Sequence, residues 1–224
     1  MPEVPQAAGA ATAGETRLPP GRHGLPRTYV AENQRERLLN GVVEAVAEHG
    51  YDATTIGRIV DAAKISRKTF YEHFRDKEDC FLAAYAMVDA HVRDSMLTAP
   101  GATEPWPDRV RARLAALLDA LTRDPTVARF YLVEPLAAGG EIAARYRDSM
   151  QLLAETLRPE PEPPDLDVEV RDQALIGGVA TLIVRRLNAG IADRLLELLP
   201  DLTELVLAPY LGRAEAQRLA RAAA

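Results

Sequence analysis

Over residues 54–77 the apolar positions fall into two short helical patterns set close together. Ile56, Ile59, Val60 and Ala63 follow an i, i+3, i+4, i+7 spacing, and Phe70 and Phe74 share one face of a second run. Thr54 or Thr55 offers an N-cap for the first run and Ser66 for the second. Asp76, with Asp79 three residues on, opens a third helix. Isolated helices shorter than about 12–15 residues are marginal in water, so the two short runs must pack against a longer neighbour. Residues 31–49 provide it: Leu38, Leu39, Val42, Val43, Val46 and Ala47 recur at helical spacing, and Gly50 stands where a C-cap glycine would. A longer helix followed by two short ones across a tight turn is the tri-helical form of the helix-turn-helix.

The second short run divides into two faces. Phe70 and Phe74 point to a core, while Ser66, Arg67, Lys68, Thr69, Tyr71 and His73 form a small polar and basic face suited to a nucleic-acid groove. The start of such a helix also presents free N–H groups and a positive dipole end to phosphates. The overall charge of −6 argues against nucleic acid, but its distribution does not. Residues 17–77 hold 11 Lys and Arg against 8 Asp and Glu, whereas residues 78–224 hold 16 against 23. A local basic surface matters more for phosphate binding than the total.

At these residues the chain resembles the tetracycline-repressor (TetR) family. Gly50-Tyr51 and the run TTIGRIVDAAKISRKTFYEHFRDKE over 54–78 follow that family's order and spacing. The departure is Lys64, where the family often has glycine in the turn; a left-handed backbone there costs a non-glycine residue about 1 kcal/mol. The resemblance implies phosphate contacts from Thr55, Tyr71, His73 and Lys77, with Ser66 at the same helix start. It implies base-edge or mixed contacts from Arg67, Lys68 and Thr69. By analogy with homeodomain arms, Arg22 and Arg27 would enter a minor groove.

The remaining sequence points to an all-α fold. We expect a disordered extension and basic arm over 1–28, a helix-turn-helix domain over 29–77 and a helical domain over 78–224. Helices are expected to about residue 97, then over 108–123, 125–137, 140–157, 168–189 and 200–211, with a short one after Arg213; the acidic, proline-rich stretch 158–167 is a linker that no helix can cross. By resemblance the last domain binds a small effector and makes a homodimer through the helices near 168–189 and 200–211. Tyr85, Met87, Trp106, Phe130, Tyr131, Tyr146 and Met150 are either walls of a largely apolar effector pocket or core, and Glu134 or Arg145 is a candidate polar anchor or a solvated surface charge. The helix around 175–184 is apolar on nearly all faces, which requires burial within the monomer or across a two-fold axis.

Several classes are disfavoured. The longest apolar run, 174–184, is too short to cross a bilayer. The start of the chain lacks a basic segment followed by an apolar one, and a single cysteine, Cys80, suits a reducing cytoplasm. No nucleophile elbow, P-loop, GxGxxG or metal-ligand spacing appears, so neither enzyme activity nor a cofactor or metal is expected. The expected function is a ligand-responsive transcriptional regulator, a repressor, bound as a dimer to a pseudo-palindromic double-stranded operator. The alternative is a helical ligand- or partner-binding module without DNA.

Overall fold

A computed structural model describes residues 27–101, 104–161 and 168–222. Among these, every regular element is a helix. The first, α1, spans Arg27–His49 and ends at Gly50, whose φ of 79° lets its N–H return to the Val46 carbonyl at 2.8 Å. It begins inside the segment expected to be an arm, so Arg27 and Thr28 are helical; Arg22 and the rest of the arm lie outside the described residues.

Helix α2 (Ile56–Ala63) and helix α3 (Arg67–His73) follow. Thr55 rather than Thr54 caps α2, accepting from the Arg58 N–H at 3.3 Å. The Thr54 hydroxyl is buried and donates to the carbonyls of Gly50 and Ala45, which fastens the connecting turn to α1. Leu38, Val42, Val46, Ile59 and Phe70 are almost wholly buried and form the centre of this unit. Helix α4 (Lys77–Leu97) is opened by Asp76, which accepts from the Asp79 N–H at 2.8 Å while Asp79 accepts from the Arg75 N–H at 3.0 Å. This exchange satisfies two donors at the helix start.

Helix α4 runs out of the small domain into the larger one, where Phe81, Tyr85, Val88 and Val92 are its buried face. Around it pack α5 (Trp106–Arg123), α6 (Pro125–Leu132) and α8 (Gly140–Thr156), with the short α7 (Glu134–Ala138) set between α6 and α8. The single helix expected over 125–137 is two. Val133 ends the first, and Pro135, which has no N–H to continue the ladder, opens the second. Helix α9 (Val168–Asn188) is followed by a 3₁₀ segment, Ala192–Leu198, which the sequence pattern did not suggest, then by α10 (Leu199–Leu211) and α11 (Arg213–Arg221).

The stretch near 175–184 is not covered on every side within one chain. Ile176, Val179, Ala180 and Ile183 are buried, but Ala174, Gly177 and Thr181 face outward. No helix among the described residues is long and apolar enough to cross a membrane.

Candidate nucleic-acid interface

Ser66 fixes the start of α3. Its hydroxyl accepts from the Thr69 N–H at 3.1 Å and lies 3.0 Å from the Thr69 hydroxyl. Phe70 is fully buried and Phe74 nearly so, and their rings pack 5.8 Å apart, which sets the rotation of the helix. Thr55, Ser66, Arg67, Lys68 and Tyr71 are consequently exposed on one side of the domain, with Thr69 and His73 half-buried at its edge. Tyr71 is 56% exposed and rests edge-on against Phe70 at 5.5 Å, so a large aromatic phenol is held outward on a rigid base. His73 Nε2 stands 3.5 Å from Gln34 Oε1 on α1. Arg67 and Lys68 make no ion pair or hydrogen bond with any described residue, and both are free to meet a polyanion.

The α2–α3 turn has the left-handed residue that its sequence raised as a question. Lys64 has φ 53° and ψ 45°, and it is the one non-glycine residue with positive φ among those described. Two backbone bonds close the turn: Lys64 N–H to Asp61, and Ile65 N–H to Val60 at 3.0 Å. The sequence reading missed a third support. Arg37, on α1, donates to the carbonyls of Ala63 at 2.6 Å and Lys64 at 2.7 Å. These carbonyls lie at the C-terminal end of α2, where a cation is favoured by the helix dipole.

Lys77 is more deeply engaged than its sequence position suggested. Its ammonium donates to the Tyr51 carbonyl at 2.7 Å and sits 3.9 Å from the centre of the Tyr51 ring. Two of its three donors therefore remain for a phosphate. Burial pushes the Tyr51 phenol above its ordinary range, with Glu78, Asp76 and Asp52 adding to the effect.

The eight residues considered for an effector pocket do not form one. Tyr85, Phe130 and Tyr131 are fully buried in a packed aromatic stack with Phe81; Phe81 and Phe130 centroids lie 4.5 Å apart, and Tyr85 and Tyr131 5.2 Å. Burial raises the phenols of Tyr85 and Tyr131 far above their ordinary range, and Tyr131 donates to the buried Asp89 carboxylate at 2.9 Å. They are core. Met87 lies on the outer side of α4, 39% exposed. Trp106 donates to the Leu157 carbonyl at 3.0 Å and packs edge-on against Tyr210, so it covers the end of α8. Glu134 does not line the cleft between α8 and α9: its carboxylate accepts from the Tyr51 N–H.

Of the eight, Tyr146 and Met150 line a cavity. It is a cleft of about 710 Å³ between α8 and α9, with Ile176 and Val168 on the facing helix. Arg147, Asp148, Gln151, Arg158, Glu169 and Gln173 make its rim polar, which departs from the apolar pocket expected. No group of three or more metal-ligating side chains occurs among the described residues.

With this geometry in place, the comparisons with known proteins are specific. Residues 38–84 match the family model for bacterial regulatory proteins of the tetR family. The chain is similar to the HTH-type transcriptional repressor AcnR of Corynebacterium efficiens, 30% identical over 126 residues that cover 56% of this chain and 63% of AcnR. The chain thus spans less than two thirds of that relative's length. Its fold is similar to that of the fatty acid degradation regulator FadR of Bacillus halodurans, with a TM-score of 0.63 at 19% identity, over 77% of this chain and 97% of that one. FadR of Bacillus subtilis, solved in complex with stearoyl-CoA, gives a TM-score of 0.62 at 18% identity over the same shares. The signature residues, the buried and exposed faces they create and these matches agree: residues 38–84 form a helix-turn-helix of the kind that the tetR family model describes, on a fold shared with the FadR regulators.

Proposed function

We propose that the protein is a ligand-responsive DNA-binding transcriptional regulator that acts as a homodimeric repressor. The observation that carries this reading is the α3 face. Arg67, Lys68 and Tyr71 stand exposed beside a capped helix start, and no other described element covers them. In this reading α3 enters the major groove. Arg67 bonds a base edge, worth roughly 1–3 kcal/mol of discrimination for a good bidentate pair. Lys68 and Thr69 make base-edge or mixed contacts. Thr55, Tyr71, His73 and Lys77 hold phosphates on either side, with Ser66 at the helix start. Two copies would read half-sites about 34–36 Å apart, or a multiple of that spacing.

The uncovered face of α9 is the natural dimer surface. Val170, Ala174, Gly177 and Thr181 follow one another at i, i+4, i+7 and i+11, and the Thr181 hydroxyl is turned inward onto the Gly177 carbonyl at 2.7 Å. That leaves a methyl group outward, so the stripe is small and apolar. Leu205 on α10 stands beside Gly178, its Cδ2 3.1 Å from where a Cβ would be, so α10 extends this into a two-helix surface for a four-helix contact across a two-fold axis. Repression needs only occupancy of the operator, whereas activation would need a further surface for the transcription machinery.

The cleft between α8 and α9 is the proposed effector site. Tyr146, Met150 and Ile176 offer apolar surface beneath a polar rim, which suits an amphipathic small molecule. Such a molecule regulates only if it binds one conformation more tightly than the other. The test is a mobility-shift assay with the duplex upstream of the protein's own gene at moderate salt. Preferential retardation over random DNA is expected; equal affinity for both would overturn the DNA-binding reading.

A further inference from the structure

Glu134 is nearly buried at the junction of the two domains, at the step between α6 and α7. One carboxylate oxygen accepts from the backbone N–H of Tyr51 at 3.1 Å, across the boundary; the other lies 3.7 Å from the Arg129 guanidinium. A buried carboxylate is costly unless it is paired, and an apolar residue of similar size would pack there without that cost. What the carboxylate supplies is a directed bond to one peptide of the small domain. The same residue is held through its next peptide and its ring as well: Lys77 grips the Tyr51 carbonyl, and the Tyr51 ring meets Phe81 edge-on at 5.3 Å. Lys77 and Phe81 belong to α4; Glu134 does not. The turn after α1 is therefore fixed from two independent directions.

The second direction leads to the cleft. Helix α7 joins α8 through Gly139 and Gly140, both with positive φ (67° and 55°) and with open space where a Cβ would stand. Helix α8 carries Tyr146 and Met150 into the cleft wall. Helix α7 also packs on α8, so a shift of α8 reaches Glu134 through α7 as well as reaching α4, on which α8 packs directly.

We propose that Glu134 is a positioning residue whose bond to Tyr51 sets the orientation of the helix-turn-helix domain on the larger domain and couples it to the α8–α9 cleft. This deepens the regulatory reading above and rests on it for its purpose, although the orientation itself can be measured without DNA. The experiment places one fluorophore at an E72C site on α3 and another at an R123C site at the end of α5. Both positions are exposed, and Cys80 is buried and does not compete for label. The doubly labelled full-length chain is mixed with excess unlabelled chain and read by single-molecule energy transfer.

Glu134→Ala is expected to broaden or shift the transfer distribution and to weaken binding of the upstream duplex at least tenfold. Glu134→Gln keeps an acceptor for the Tyr51 N–H and is expected to keep the distribution of the unsubstituted chain. If Glu134→Ala does not fold, Glu134→Asp keeps the charge but withdraws it from Tyr51, and the same broadening is expected. An unchanged distribution in the folded Ala or Asp variant overturns the proposal, whether or not the melting temperature falls. A chain that shows the Glu134 effect but binds no DNA would leave the latch standing and remove the DNA-binding reading.

Discussion

The guanidinium of Arg37 donates a 2.7 Å hydrogen bond to the carbonyl of Lys64, the residue whose backbone is left-handed, and ties the α2–α3 turn to α1. The relation explains how a lysine can occupy a position that favours glycine. The left-handed backbone costs roughly 1–2 kcal/mol in a residue with a Cβ, and a hydrogen bond from a charged donor returns roughly 1.5–3 kcal/mol when it is well shielded. This one is exposed, so at most the lower end applies. Lys64→Gly is expected to raise stability by up to about 1 kcal/mol, since glycine loses more freedom on folding and cancels part of the relief. Arg37→Ala should lower it by about 1–2 kcal/mol through its lost bonds to Ala63 and Lys64, and Lys64→Gly should stabilise the Arg37→Ala chain by more than it stabilises the original one. Urea denaturation of the two single variants and the double variant checks this; strict additivity would mean that Arg37 does not support the turn.

The outward face of α3 separates sequence reading from simple attachment. Arg67→Ala should lower affinity for the preferred duplex by about 1–3 kcal/mol and relax preference at one base position. Tyr71→Phe removes a hydroxyl but keeps the ring on Phe70, so it should weaken all duplexes alike, by about 0.5–1.5 kcal/mol. Binding isotherms on matched and base-substituted duplexes, with melting curves as a control on folding, distinguish the two. A uniform loss for Arg67→Ala would move that residue from base to phosphate.

The division of α3 into inner and outer faces was legible in the sequence because it depends on local rules: 3.6-residue periodicity, Ser66 as cap, and Phe70 and Phe74 one turn apart. Asp76 and Asp79 were legible for the same reason. The interior of the larger domain was not. Tyr85, Phe130 and Tyr131 have the composition of a pocket lining, and only packing between α4 and α6 makes them core. Arg37 bonds carbonyls 26 and 27 residues away, and Glu134 bonds an N–H 83 residues away. Such bonds leave no mark on periodicity or spacing, because any surface helix has arginines and glutamates at similar intervals. The break at Val133 had a visible signal in Pro135, which should have ended the helix expected over 125–137.

Gly41 allows the closest approach of α1 to α2. A Cβ there would stand 2.8 Å from the Ile59 carbonyl oxygen and 2.9 Å from both the N and Cβ of Ala63. Inside a helix, Gly→Ala ordinarily stabilises by roughly 0.5–1 kcal/mol. The obstacle here is mainly backbone, which cannot rotate away, so the sign reverses. Gly41→Ala should cost about 1–3 kcal/mol, as overpacked cores do. A thermal melt measures it, and an unchanged or higher midpoint would mean that α1 and α2 do not cross this closely.

Cys80 is fully buried, with its thiol directed to the Leu38 carbonyl at 3.8 Å, and burial pushes it up to about 12. The unfolded thiol ionises near 9, so deprotonation favours the unfolded chain. The contribution to stability is complete below that value and is lost as pH rises from there towards 12. At pH 8 the folded thiol should resist alkylation and react only at the rate of unfolding, because the thiolate is the nucleophile. Iodoacetamide labelling followed by mass spectrometry, with and without urea, tests both access and ionisation. Rapid modification of the folded chain would instead make Cys80 a reactive group.

The dimer surface can be separated from the monomer's own stability at Gly177. A Cβ at this position meets nothing within 4 Å, and the residue is exposed on the outer stripe of α9. Gly177→Glu therefore fits the isolated chain, and replacing a helical glycine even favours the helix by up to about 1 kcal/mol. Across a two-fold axis the same substitution sets two carboxylates against each other in a small apolar contact, where unpaired charge is strongly disfavoured. Sedimentation equilibrium should show a dimer for the original chain and a monomer with undiminished helix content for Gly177→Glu. DNA affinity should fall with it, since one half-site contact is lost. A Gly177→Glu chain that remains dimeric at the same concentrations would place the two-fold axis on another face, away from α9.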